Sequence, residues 1–149
     1  MKTPQPYIIG IDPGVTTGLC IYYKPTMTIC QLKSGTLLQM LLTLKESIWW
    51  DRISNGQVFV RMEDARLRTW IPRQKTATAE LGRREGAGYV KAHCAIWEDW
   101  FKMVGIPHEL VAPKNNKTKV TADYFQKLTG WTERTNEHER DSAMLVVGY

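Results

Sequence analysis

The run Tyr7-Ile8-Ile9-Gly10-Ile11, followed at once by Asp12-Pro13-Gly14, sets the strongest limit on what this chain can fold into. A short unbroken apolar run is the pattern of a strand buried on both faces, and such strands belong to sheets covered by helices. Asp-Pro-Gly ends the strand with turn chemistry. A charge directly after a buried strand needs a reason, because an unpaired buried carboxylate is costly. Either Asp12 makes the turn with its own side chain, or it faces a cation at the carboxyl edge of the sheet. Binding sites of open α/β sheets form at that edge. The residue alone leaves both readings open.

The rest of the chain alternates in the same style. Residues 18–23 and 27–32 read as two further strands joined by Lys24-Pro25-Thr26, a hairpin-length link. Leu37, Leu41, Leu44 and Ile48 fall on one face of a helix over 36–50, with Ser34 or Thr36 as its cap. Residues 57–62 form another apolar strand that ends at Glu63, and 64–78, polar, basic and containing Pro72, read as a loop. A long helix is expected from about Ala79 to Met103 with Val90, Cys94, Trp97 and Phe101 as its apolar stripe. Gly82, Gly86 and Gly88 weaken its start but permit close helix contacts, and Gly105 ends it. Residues 108–111 are a short strand. Residues 118–128 are a helix with Val120, Tyr124 and Leu128 on one face, stopped by Gly130. Asn136 with Glu139 three residues later has the form of a capping box, opening a final helix to the C-terminus. The order β-β-β-α-β-α-β-α-α predicts one α/β domain over 1–149, a mixed sheet covered by helices.

Charge narrows the partner. The net charge is +5, and between Arg61 and Lys91 eight Lys and Arg stand against four acids, so +4 of it sits in one segment. That asymmetry favours nucleic acid over a uniformly basic surface. Cys20, Cys30 and Cys94 are odd in number, without a C-x-x-C, and lie in apolar stretches; they read as core thiols rather than a disulfide framework or zinc site. The N-terminal segment lacks the apolar core of a signal peptide and no run reaches membrane-span length, so a cytoplasmic protein is expected.

Glu63 makes Asp12 more than a turn residue. It too ends an apolar strand, and if the two strands are parallel neighbours both carboxylates emerge at one edge. Asp64 should point away from Glu63, since side chains alternate along a strand, and reads as a loop or capping acid. In Asn136-Glu137-His138-Glu139-Arg140-Asp141-Ser142-Ala143, His138 and Asp141 are three apart and share a helical face. Glu137 and Glu139 suit a helix N-terminus electrostatically; Asp141, beside the apolar block 143–147, needs another account. Three carboxylates from separate elements match Mg²⁺, which takes oxygen ligands and is held by a few carboxylates plus substrate phosphate. His138 is a poor Mg²⁺ ligand by hardness. It could orient water, ligate Mn²⁺, act as an acid or base, or serve only the helix end.

These motifs together resemble a family. Residues 8–18 (Ile-Ile-Gly-Ile-Asp-Pro-Gly-Val-Thr-Thr-Gly), the strand ending at Glu63, and His138-x-x-Asp141-Ser142-Ala143 are similar to RuvC-type Holliday junction resolvases of the RNase H-like (retroviral integrase) superfamily. Residues 81–88 resemble the start of that family's long dimer-forming helix, and 114–119 its basic segment near the site. The resemblance implies an RNase H-like five-stranded mixed sheet with its second strand antiparallel, flanked by helices. It also implies metal-dependent nicking of opposed strands of a four-way DNA junction by a homodimer, with Mg²⁺ as cofactor and Mn²⁺ able to substitute. Asp12, Glu63, His138 and Asp141 would then be catalytic and metal-binding. The chain ends eight residues after Asp141, short for the bacterial enzyme and suited to a phage or prophage form, and its loop after Glu63 departs from the family pattern.

Position and charge mark a DNA surface: Arg66, Arg68, Arg73 and Lys75 beside Glu63, then Arg83 and Arg84, with Lys114, Lys117 and Lys119 near another strand end. Trp70 among them could stack on bases or pack the loop onto the domain. Three other functions fit parts of the pattern. An actin- or sugar-kinase-type ATPase shares the first turn but needs two large lobes. A non-catalytic branched-DNA-binding module gains nothing from carboxylates facing phosphate. Another RNase H-like nuclease, on RNA/DNA hybrids or flaps, shares the acids.

Overall fold

Five strands, Tyr7–Asp12 (β1), Thr17–Tyr23 (β2), Thr28–Gly35 (β3), Val58–Glu63 (β4) and His108–Val111 (β5), form one sheet in the order β3-β2-β1-β4-β5. The computed structural model describes residues 4–69, 73–116 and 119–149, so Trp70 and Lys117 lie outside the described residues. β2 runs antiparallel to both its neighbours, while β1, β4 and β5 are parallel. This is the mixed sheet that the element order predicts, with the antiparallel second strand that the family resemblance implies.

The helices are Leu37–Lys45 (α1), Ser47–Ser54 (α2), Ala77–Val104 (α3), Ala122–Thr129 (α4) and Glu137–Met144 (α5). Strand alternation sorts the sheet's side chains into two cores. Ile9, Ile11, Val58, Val60 and Met62 pack with Met40, Leu44, Trp49, Ile53, Cys94, Trp97 and Phe101, so α1, α2 and α3 cover one face. Ile8, Cys20 and Tyr22 pack with Val111, Phe125 and the 143–146 segment, so α4 and α5 cover the other. β1 contributes buried side chains to both, as its unbroken apolar run requires.

Four local readings are corrected. The expected helix over 36–50 is two: Thr36 and Gln39 form a capping box, and an extended Glu46 (ψ 142°) breaks the helix after Lys45. The break turns Ile48 outward, 58% exposed, and brings in Trp49, whose indole donates to Gln31 Oε1. Around α4, Thr121 caps a helix of eight residues, and Phe125 is its buried anchor while Tyr124 and Leu128 are exposed. The inward position goes to the ring without a hydroxyl, while Tyr124 keeps its hydroxyl in solvent. Cys30, on the edge strand β3, is exposed rather than a core thiol. The last helix has its Asn136–Glu139 capping box but ends at Met144 instead of running to the terminus. Among the described residues no helix is long and apolar enough to cross a membrane.

Candidate active site

Asp12 and Glu63 end parallel neighbours. Ile11 pairs with Met62, so the two acids sit one step beyond the last registered pair, at the same edge. Both belong to the alternation that faces α5, with Ile8 and Gly10 on β1 and Phe59 and Arg61 on β4. Asp12 is not spent on its turn. Among the described residues its carboxylate accepts no hydrogen bond from residues 13–16, and Thr17 Oγ1 closes that turn by donating to the Gly14 carbonyl at 3.4 Å.

α5 supplies the third acid and approaches the sheet closely. A Cβ on Gly10 would collide with the Ser142 carbonyl, and one on Gly18 with the His138 carbonyl. These two glycines therefore give α5 its seat. From there His138 Nδ1 lies 3.5 Å from Asp12 Oδ2. Asp141 is buried, at 8% exposure, and its Oδ1 accepts the backbone N–H of Lys119 at 3.3 Å. Lys119 adopts a left-handed backbone, φ 67°, uncommon for a side chain with a Cβ.

The three acids lie close enough to feel one another's charge. Burial, followed by the charges of Glu63 and Asp141, pushes the Asp12 carboxyl up to about 8, while Lys119 pulls it down. Burial raises the Glu63 carboxyl as well, and Asp141 adds to this. The Asn116 hydrogen bond, Arg68 and Lys119 act the other way. Such mutual repulsion between oxygen donors is the kind that a hard cation relieves. As the side chains stand, no three His, Cys, Asp or Glu among the described residues surround one point closely enough to hold an ion.

Asn116 was not singled out by sequence. Its Nδ2 donates to Glu63 Oε2 at 2.7 Å. The signal available was its position, an amide just past the end of β5 at the same sheet edge. Asp64 points to the opposite face from Glu63, as alternation predicts. It is 1% exposed and caps the short 3-10 turn at 65–67 through the Arg66 N–H.

The candidate DNA-binding cations differ in what already holds them. Arg68, Arg73, Lys75, Lys114 and Lys119 are exposed. Arg68 and Lys114, with Leu67, Thr69 and Pro113, line a cleft of about 360 Å³ between the segments that follow β4 and β5. Arg66 Nη2 is bound by Asp64 Oδ2 at 2.8 Å and Glu98 Oε2 at 2.6 Å. Arg83 and Arg84 both pair with Glu80, and the Arg83 hydrogen bond is the first cause holding that carboxyl at about 2.

No protein-family model matches the chain, and no curated protein matches it by sequence. Among solved structures, the chain is similar to T. thermophilus RuvC in complex with a Holliday junction substrate. The match has a TM-score of 0.54 and 15% identity, and it covers 95% of this chain and 90% of that one. At that identity the likeness is one of architecture, and it spans nearly all of both chains. The chain has the RuvC fold, an RNase H-like five-stranded mixed sheet flanked by helices.

Proposed function

We propose that the chain is a structure-selective endodeoxyribonuclease, one nuclease domain that resolves four-way and other branched DNA by metal-dependent phosphodiester hydrolysis. The observation that carries this reading is the convergence of Asp12, Glu63 and Asp141, from two strands and a helix, at one edge of a RuvC fold, each charge felt by another. The similar solved protein is described with a Holliday junction, and the exposed cations beside Glu63 suit the same class of polyanion.

Asp12, Glu63 and Asp141, with His138 beside Asp12, would hold Mg²⁺ or Mn²⁺. When bound, such ions supply Lewis acidity and a water activated for attack on phosphorus. The chain's own residues do the rest. Asn116 orients the Glu63 carboxylate through its 2.7 Å hydrogen bond. His138, 3.5 Å from Asp12, is placed to hold or deliver a proton at Nδ1. Lys119 sets a positive charge beside the acids, and Arg68 and Lys114 line the cleft along which a strand would reach them. Phosphate contacts there position the substrate without reading its sequence.

Paired nicks need two sites, and α3 supports a homodimer. Its N-terminal half is exposed, with Leu81 and Tyr89 facing solvent. Among the described residues, nothing lies within 4 Å of a Cβ placed on Gly82, Gly86 or Gly88. Each glycine in a helix interior costs about 1 kcal/mol relative to alanine. The described residues give no steric reason for that cost, whereas the close approach of a second copy's helix would.

The test is cleavage of synthetic four-way, three-way, flap and RNA/DNA hybrid substrates with Mg²⁺ or Mn²⁺. Symmetric nicking of four-way junctions, lost in Asp12→Asn and Glu63→Gln while junction binding persists, is the expected result. Cleavage retained in both variants would sink the site assignment, and cleavage of hybrids alone would move the chain to another RNase H-like activity.

A further inference from the structure

We propose that Arg66 is a positioning residue: it straps the end of β4, and through it Glu63, to the long helix α3. The inference rests on the nuclease reading of Glu63 and adds a residue to it.

The last two acids of this segment face opposite ways. Glu63 faces α5 and the site, while Asp64 faces α3, where it is 1% exposed. Arg66 reaches the Asp64 carboxylate with Nε, 2.9 Å from Oδ1 and 3.1 Å from Oδ2, and with Nη2, 2.8 Å from Oδ2. The Arg66 backbone N–H adds a bond to Oδ1 at 2.9 Å. Nη2 also reaches Glu98 Oε2 on α3 at 2.6 Å, and Glu98 Oε1 is in turn held by Lys102 Nζ at 2.7 Å. Two further contacts grip the same point. Cys94 Sγ of α3 is 3.8 Å from the Glu63 carbonyl, and the Asp64 N–H donates to the Val111 carbonyl of β5 at 2.8 Å.

Cys94, Trp97 and Phe101 of α3 also pack into the apolar core on this face of the sheet. Apolar burial holds elements together without fixing direction. A planar guanidinium gripping a carboxylate by two edges does fix direction. Removing Arg66 would leave Asp64 charged, buried and unpaired, which is strongly destabilising. The strap thus sets where β4 ends relative to α3, and with it where the Glu63 carboxylate stands. A displacement of about 1 Å at a catalytic group can cost on the order of 100-fold in rate.

Arg66→Ala is a poor test because it can unfold the chain. Arg66→Lys keeps the charge beside Asp64 but loses the fork, and Glu98→Ala cuts the tie to α3 while leaving Asp64 paired. Four quantities should be measured on the full chain: melting temperature, Mn²⁺ affinity by calorimetry, junction affinity against salt without metal, and single-turnover cleavage. A strap predicts that both variants fold, bind junction with the wild-type salt slope, and lose about ten-fold in Mn²⁺ affinity and cleavage rate. Wild-type Mn²⁺ affinity and cleavage in both variants would overturn it. So would a salt slope reduced by about one in Arg66→Gln with Glu98→Ala silent, because that marks Arg66 as a phosphate contact. If the wild-type chain cleaves no branched DNA, the nuclease reading fails while the Mn²⁺ arm still reports on the strap.

Discussion

The carbonyl oxygen of His138 occupies the space that a side chain on Gly18 would need. Gly18 lies on β2 directly opposite Asp12, so the glycine that admits α5 also sits beside the first carboxylate. Gly18→Ala should push α5 off the sheet. The expected cost is about 1–3 kcal/mol or more, as for other overpacked sites, with cleavage lost because Asp141 and His138 retreat. Denaturant unfolding together with a cleavage assay checks this. A variant as stable and as active as the parent would show that α5 has another seat.

Without metal, stability should fall as pH rises. Asp12 is near 3.8 when unfolded and is pushed up to about 8 when folded, first by burial and then by Glu63 and Asp141. The folded state therefore binds the proton more tightly. Its contribution is most favourable at the acid end and is lost as pH passes through 8. The melting temperature of metal-free protein should drop between pH 5 and pH 8.5, Mg²⁺ should reverse part of that drop, and Asp12→Asn should flatten the profile. A metal-free profile that rises toward pH 8 would contradict the burial of Asp12.

Asn116→Ala should loosen Glu63 without unfolding the chain, since it removes one hydrogen bond at a half-buried position. A loss of about 10- to 100-fold in cleavage or metal affinity is expected, the range typical of groups that orient a metal ligand. Kinetics with Mn²⁺ varied would show it as a raised metal requirement.

Charge removal at Arg68 and Lys114 should weaken junction binding and flatten its salt dependence by about 0.9 per lost phosphate contact on duplex DNA. Titrations at several salt concentrations decide the matter. An unchanged slope would reject the cleft between the two segments as the DNA path.

Gly86→Leu separates the two roles of α3. Among the described residues the space around Gly86 is open, so the helix should tolerate the side chain or gain stability from it. Sedimentation at several concentrations should show a weakened dimer. A variant that dimerises like the parent would remove α3 from the interface.

Much of this architecture was legible because burial imposes periodicity. The apolar run before Asp12, the largely apolar run before Glu63 and the Asn136–Glu139 box each pointed to an element that the fold contains. What stayed hidden depends on which of two neighbours wins an inward place. Trp49 over Ile48 and Phe125 over Tyr124 are decided by where a helix breaks or starts, through Glu46 and Thr121, and not by period. The place of Asp12 and Glu63 at strand ends was legible because charge beside apolar sequence is expensive. Asn116 was not, because an amide in a polar loop costs nothing until folding brings it to Glu63. The charges of Arg66, Arg83 and Arg84 could be counted from sequence, but their partners Glu98 and Glu80 could not be assigned without the fold.

The adjacency of Glu63 and Asp64 on opposite faces makes β4 a parity check. Substitutions along it can be absorbed by repacking, but a change of length by one residue cannot. Deleting one residue would carry Asp64 into the place of Glu63 and Glu63 into the apolar slot of Met62, and inserting one would put Met62 at the site. The acidic edge and the Asp64–Arg66 ion pair would fail together. This chain should therefore keep the spacing of β4 more strictly than the identity of any apolar residue within it.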